Sequence, residues 1–207
     1  MGKIKPMLYS QMMVEAIIAK RKRVTRRLNT TLEAGDIVYV REAHFQYGRW
    51  KKGKTKKGKE GWRFVAEDDE VLFMDNAPKK FKKSRDRKNP EIPAWYKRNS
   101  LFMPKRAARI WLSIITVVKE LLHDITEESA LLEGIYVYDT GKFRPDVYMD
   151  YSINEEENEG YNYKKTAKES FASLWVTING QESYNSNPDV YVIGFDVLST
   201  TGRPKDI

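Results

Sequence analysis

The sequence predicts an α+β protein in which several short strands form a small barrel flanked by three short helices. Two observations lead there. Apolar stretches switch between β-branched or aromatic runs and segments of helical spacing, without the strict strand–helix alternation of a doubly wound sheet. With 207 residues, 41% hydrophobic and 12% aromatic, the chain also has enough apolar matter for one core plus an insertion.

Met7–Tyr9 reads as a strand, and Ser10 as the cap of a helix reaching about Lys20, with Met13, Val14, Ile17 and Ile18 on one face. Val24–Leu28 returns as a strand, Gly35-Asp36 turns the chain, and Ile37–Val40 is a β-branched and aromatic strand. From Ala43 to about Ser100 the character changes. RWKKGKTKKGK and KKFKKSRDRK surround strand-like pieces at Trp62–Val65 and Val71–Phe73. Residues 43–100 are therefore expected to be a long, basic, partly flexible insertion within a single domain spanning 1–207. ARIWLSIITVVKELL is β-branched enough to be a long strand. Asp124, with Glu127 three residues on, resembles a capping box for a short helix ending at Gly134. Tyr136–Tyr138 is extended and NEEENEG is a loop. Phe171, Leu174, Trp175 and Ile178 repeat at helical spacing until Gly180, and Val190–Val197 closes the chain as a strand.

The formal net charge of +8 hides a polarity. Residues 1–106 hold 28 Lys/Arg and 12 Asp/Glu, whereas residues 107–207 hold 9 and 17. Such a field attracts polyanions and helps the two halves meet. The absence of cysteine excludes disulfides and thiolate metal sites, and His44 and His123 lack ligand spacing, so no metal or cofactor is expected. No leader-like or membrane-length apolar run occurs, which points to a cytoplasmic protein without a membrane partner.

Six cations crowd Lys20–Arg27, at the turn between the first helix and the second strand. Crowding lowers the pKa of a lysine, so Lys22 can serve as a base toward the hydroxyl of Thr25; a solvated basic turn is the plainer reading. Glu133 sits at a helix C-terminus against the negative end of the macrodipole, which suits a partner cation or proton transfer but is common on surfaces. Arg41 and Glu42 either line a cleft or form a surface ion pair. Ser100 and Met103 either approach that cleft or belong to a structural turn. Trp175 reads as core, with Asn179 beside it. In the insertion, Lys51, Lys52, Lys56 and Lys57 alternate with Trp50 and Trp62. Those are ingredients of single-strand binding, and equally of a self-repelling loop.

The segment AKRKRVTRR resembles the signature of ASCH domains, a PUA-like family: a small residue, Gly-Arg-Lys-Thr, an apolar residue, Thr, and Arg shortly after. Ala19, Arg21, Lys22, Thr25 and Arg27 match it, and Glu133, in the form T-E-x-x-A-x-x-E, matches the second landmark. GDIVYVREA, SLFMPKRAARIWLSI, DITEESALLEGI, the Leu174-Trp175 to Asn179-Gly180 block and NPDVYVIGFDVL are similar, in the same order, to ASCH-like proteins of phages and prophages. In those, a variable insertion separates the same strands. The resemblance covers most of the chain and implies a PUA-like barrel with a basic cleft for a nucleobase or nucleic acid. In the bacterial members that are acetylcytidine amidohydrolases, the matching Lys, Thr and Glu are catalytic. Carried over, Lys22 is the base, Thr25 the nucleophile and Glu133 the acid/base partner, with Arg21, Arg26, Arg27, Arg41, Glu42, Ser100 and Met103 around the substrate. Lys20 stands where the family has glycine, and Arg23 where it has Thr or Gln, so the cleft is more cationic here. The expected partner is RNA before DNA, or a nucleoside. The alternative is a non-catalytic RNA- or DNA-binding module of phage origin.

Overall fold

Five strands build the central sheet, whose order is β1 (Ile4–Leu8), β3 (Ile37–Arg41), β7 (Trp111–Leu121), β11 (Asp189–Ser199) and β2 (Val24–Arg27). β1 runs parallel to β3; the other neighbours are antiparallel, and β7 with β11 forms the longest ladder. The computed structural model describes residues 2–54, 58–142, 144–152, 163–205 and 207. The acidic segment NEEENEG, expected as a loop, lies outside them, as do Lys56 and Lys57.

Helix α1 (Gln11–Ile18) buries Met13, Val14, Ala16 and Ile17 against the sheet. Ser10 holds the N-cap position but its side chain makes no capping hydrogen bond. Helix α2 (Glu127–Leu132) begins after Thr126, whose hydroxyl accepts from Ser129 N, so its cap lies two residues beyond the expected Asp124. Glu127 is used elsewhere: its carboxylate accepts from Ala167 N (2.8 Å) at the start of α3 (Ala167–Asn179). A fourth helix, α4 (Gln181–Asn185), follows at once. The core joins Val14 and Ile17 of α1 to Val38, Val40, Leu112, Ile114, Val190 and Ile193 of the sheet and to Phe171, Leu174 and Trp175 of α3. Trp175 is core, as its spacing predicts.

The α+β class expected from the sequence is present. A closed barrel is not: among the described residues β1 and β2 remain edges of the sheet. They are connected by α1, and a side chain stands where a further ladder would run, Arg27 Nη2 donating to Leu8 O at 2.8 Å.

Residues 44–98 contain a second sheet of three antiparallel strands, with β4 (His44–Lys54) between β5 (Glu60–Leu72) and β6 (Ala94–Arg98). The two strand pieces expected at Trp62–Val65 and Val71–Phe73 belong largely to one strand. Its acidic stretch Glu67–Glu70, which separates the two expected pieces, bulges out where the register shifts opposite Gln46 and Gly48. A small third sheet combines β8 (Val137–Tyr138), β9 (Val147–Met149) and β10 (Tyr163–Lys164).

The second sheet is anchored to the first by charge and by packing. Arg109 grips the buried Glu42 carboxylate with Nε (2.9 Å) and Nη2 (2.8 Å), and its Nη1 donates to Asp75 at 2.6 Å. Tyr39, Met103, Ala108 and Trp111 form a separate apolar cluster beside this clamp.

His44 starts β4 fully buried, with Nδ1 donating to Glu42 O. Burial, assisted by Arg98, lowers its pKa from 6.5 to about 4. The imidazole is thus neutral in the fold, whereas the unfolded chain takes up a proton near pH 6.5. Stability should therefore fall as pH drops from about 6.5 to 4, by up to about 3 kcal/mol from this group. His44→Gln should flatten that part of the curve in denaturant unfolding measured across this range.

Candidate functional site

The basic turn after α1 is not a free loop. Its backbone is clamped by Arg21 N and Lys22 N donating to Ala16 O (2.9 and 3.0 Å), and by Arg23 N donating to Leu132 O (2.8 Å). Lys22 and Glu133 pair as an isolated antiparallel bridge, which brings the end of α2 against the turn. Lys20 takes φ +60, a left-handed conformation that glycine accepts at no steric cost. Gly134 has φ +90, and a Cβ there would stand 2.8 Å from Ala16 Cβ and 2.9 Å from Lys22 Cβ. The absence of that Cβ is what lets the Lys22 stem lie against the helix end.

With the backbone so placed, Lys22 and Glu133 are 1% and 3% exposed. Lys22 Nζ donates to Glu133 Oε2 and to Glu133 O, both at 2.7 Å. The other carboxylate oxygen accepts from Arg26 Nη1 at 3.1 Å. Arg26 also donates through Nη2 to Glu120 (2.6 Å) and to Ser129 Oγ (2.7 Å). One carboxylate thus answers two buried cations, and a second acid from β7 completes the charge balance. Desolvation holds Lys22 below the usual lysine range, against the pull of Glu133, with Arg27 and Arg26 adding smaller pushes downward. Crowding by neighbouring cations, expected from the sequence to lower this lysine, is the smaller cause, and burial is the larger.

Above this network lies a cavity of about 220 Å³, lined by Lys22, Thr25, Arg26, Arg27 and Glu133 together with Tyr9, Met13, Phe171, Trp175 and Asn179 among others. It sits where β1 and β2 fail to meet, with α3 as one wall. Sequence reasoning passed over Tyr9, because an aromatic residue ending a strand reads as core. Its hydroxyl is buried, and burial pushes its pKa up against the pull of Arg27 and Thr25, so it stays a phenol and a donor. The Arg27 guanidinium lies 5.3 Å from the Tyr9 ring centre. Thr25 is buried, and its side chain bears on the Tyr9 hydroxyl.

The other expected residues stand elsewhere. Arg21 donates to Gly134 O (2.8 Å) and covers the Tyr136 ring, outside the cavity lining. Arg41 donates to Leu101 O, Glu42 is held by Arg109, and Met103 Sδ accepts from Glu42 N, so with Ser100 these form a cluster at the root of β4. Glu42 is an ion-pair residue, but a buried one. In the second sheet Lys51 and Lys52 are exposed, Trp62 is 38% exposed under Lys52, and Trp50 is buried among other rings. Among the described residues, no three metal-ligating side chains gather in one place.

Removing the shared carboxylate leaves two buried cations short of a partner, so Glu133→Gln should cost about 3–5 kcal/mol in urea unfolding. Lys22→Met in the same chain should restore part of the loss, because Arg26 keeps Glu120. Lys20→Gly should raise stability by about 1 kcal/mol, since it relieves a left-handed residue whose side chain is exposed.

Comparison of the chain with protein-family models, with curated proteins and with solved structures returns no match.

Proposed function

We propose that the chain is an ASCH-like protein of PUA type that holds a nucleobase or nucleoside in the Lys22–Thr25–Glu133 cavity and hydrolyses an amide on a modified base such as acetylcytidine. The observation that carries the reading is convergence. Lys22 and Thr25, from one turn and the strand after it, line one small cavity with Glu133, 111 positions beyond Lys22, and Lys22 and Glu133 share a proton-bearing contact of 2.7 Å. A volume of about 220 Å³ suits a base better than a larger ligand, since drug-sized pockets run to roughly 300–1,000 Å³.

In this reading Lys22 passes its proton to Glu133 across that contact, which leaves a neutral amine and a neutral acid. The amine takes the Thr25 hydroxyl proton as Oγ1 attacks the acyl carbonyl. The resulting oxyanion is met by the Arg27 guanidinium and the Tyr9 hydroxyl. Collapse breaks the C–N bond, and the departing amine receives a proton from Lys22 or Glu133. Water then cleaves the Thr25 ester, releasing the acid and regenerating the hydroxyl.

Incubation of the protein with acetylcytidine should release cytidine, read by chromatography. Lys22→Ala should reduce the rate to background, and turnover that survives it would sink the assignment. Because a base must be neutral to act, the rate should rise with pH and level off below the ordinary lysine range, as the lowered Lys22 pKa requires. A second reading, nucleic-acid binding without catalysis, draws support from the exposed cations and rings of the second sheet.

A further inference from the structure

We infer that the face of the three-stranded sheet around Arg98 binds the phosphates of a single-stranded nucleic acid. This rests on nucleic acid as the partner, as in the second reading above, and not on hydrolysis in the Lys22 cavity.

Strand register builds the face. Arg98 lies opposite His44, Tyr96 opposite Gln46, and Phe64 opposite Trp50, so these side chains share one side of the sheet. Arg98 is 7% exposed, and its guanidinium carbon stands 4.2 Å from the Phe64 ring centre and 4.9 Å from those of Trp50 and Phe102. Neither Nε nor Nη1 has a hydrogen-bond partner, and Arg98 forms no ion pair among the described residues. Arg87 stacks on the same Trp50 at 3.5 Å. Its Nη1 donates to Ser84 O and Asp86 O, while its Nε is unpartnered. Tyr96 Oη and Trp50 Nε1 are buried and unpartnered as well.

The charge arithmetic is unusual. Burial and the nearby Arg87 lower the Arg98 pKa only to about 10, so it remains a cation at neutral pH. His44 opposite it is neutral. Asp86 is the acid that bears on Arg87, and its Oδ1 already accepts from Lys88 N at 2.8 Å. Aromatic faces attract the guanidinium charge but do not satisfy its in-plane N–H groups. Arg26 in the Lys22 network and Arg109 in the Glu42 clamp meet carboxylates; among the described residues Arg98 meets none. A desolvated surface of donors without acceptors is complementary to a ligand rich in acceptors and negative charge, and phosphate is such a ligand.

The surroundings favour a polymer with bases. Lys52 covers Trp62 (5.6 Å), Arg87 lies between Trp62 (5.9 Å) and Trp50, and Arg98 lies between Trp50 and Phe102. Cations and rings therefore alternate across the face. Trp62 is 38% and Phe102 56% exposed, offering surfaces on which unpaired bases stack. Phe102 also covers Arg98, and as an exposed ring it can turn aside on a fast timescale.

The test is fluorescence anisotropy with labelled oligo-U and oligo-dT of about 12 nucleotides. At about 0.1 M salt, Arg98→Met should weaken binding about tenfold or more, and Arg87→Met should weaken it in the same direction. Lys168→Ala, which removes one exposed charge from α3, should change it less than about twofold. In the absence of nucleic acid, Arg98→Met should melt at the wild-type temperature or above, because an uncompensated ion has been replaced by an apolar chain. Wild-type affinity in both arginine variants would overturn the proposal, as would no binding by the wild type or equal competition by duplex. A fall in melting temperature with unchanged binding in Arg87→Met would make the arginines structural and overturn it too. Acetylcytidine turnover is a separate readout, so failure at either site leaves the other reading standing.

Discussion

The carboxylate of Glu133 is the constraint on which the rest of the central structure depends. It is nearly inaccessible to water and answers Lys22 on one oxygen and Arg26 on the other. Burying an ion costs several kcal/mol, and pairing offsets that only when geometry is tightly held. The surrounding backbone supplies the hold: the double hydrogen bond onto Ala16 O, the bridge between the basic turn and the end of α2, and a glycine at 134 where a side chain would collide. The left-handed Lys20 is tolerated because these contacts over-determine its neighbourhood.

The same network uses part of the charge polarity of the chain. The basic first half and acidic second half meet inside the protein, at Lys22 and Arg26 from one and Glu120 and Glu133 from the other. The Glu42–Arg109 clamp repeats the logic with the signs exchanged and fixes the root of the second sheet. Arg98 breaks the pattern, being buried among rings alone. Where buried Arg26 and half-buried Arg109 each meet a carboxylate, that exception marks a place where stability has been yielded to something other than folding.

Much of the frame was legible in the sequence because its signals are local. Runs of β-branched and aromatic residues in Ile37–Val40, after Ala108 and in Val190–Val197 mark strands that the structure contains, and the spacing of Phe171, Leu174 and Trp175 marks the buried face of α3. The basic turn and Glu133 stood out as motifs, and both line one cavity. Tyr9 did not, since a strand-end aromatic has no pattern that separates a pocket wall from core. Trp62–Val65 and Val71–Phe73 read as two strand pieces because the charged residues between them do not distinguish a bulge in one strand from a break between two.

By itself, then, the chain's sequence marked the strands and helices of the central sheet, the apolar faces they bury, and a short roster of residues able to do chemistry. Tertiary structure alone decided which of those residues meet. Lys22 reaches Glu133 across 111 positions, Arg26 reaches it across 107, and Arg109 reaches Glu42 across 67. It also decided that β1 and β2 stay apart, which opens the cavity, and that Arg98 is enclosed by rings without an acid. Periodicity reports only on neighbours a few residues away, whereas burial, counter-charge and pKa are set by groups that the sheet order brings together from distant parts of the chain.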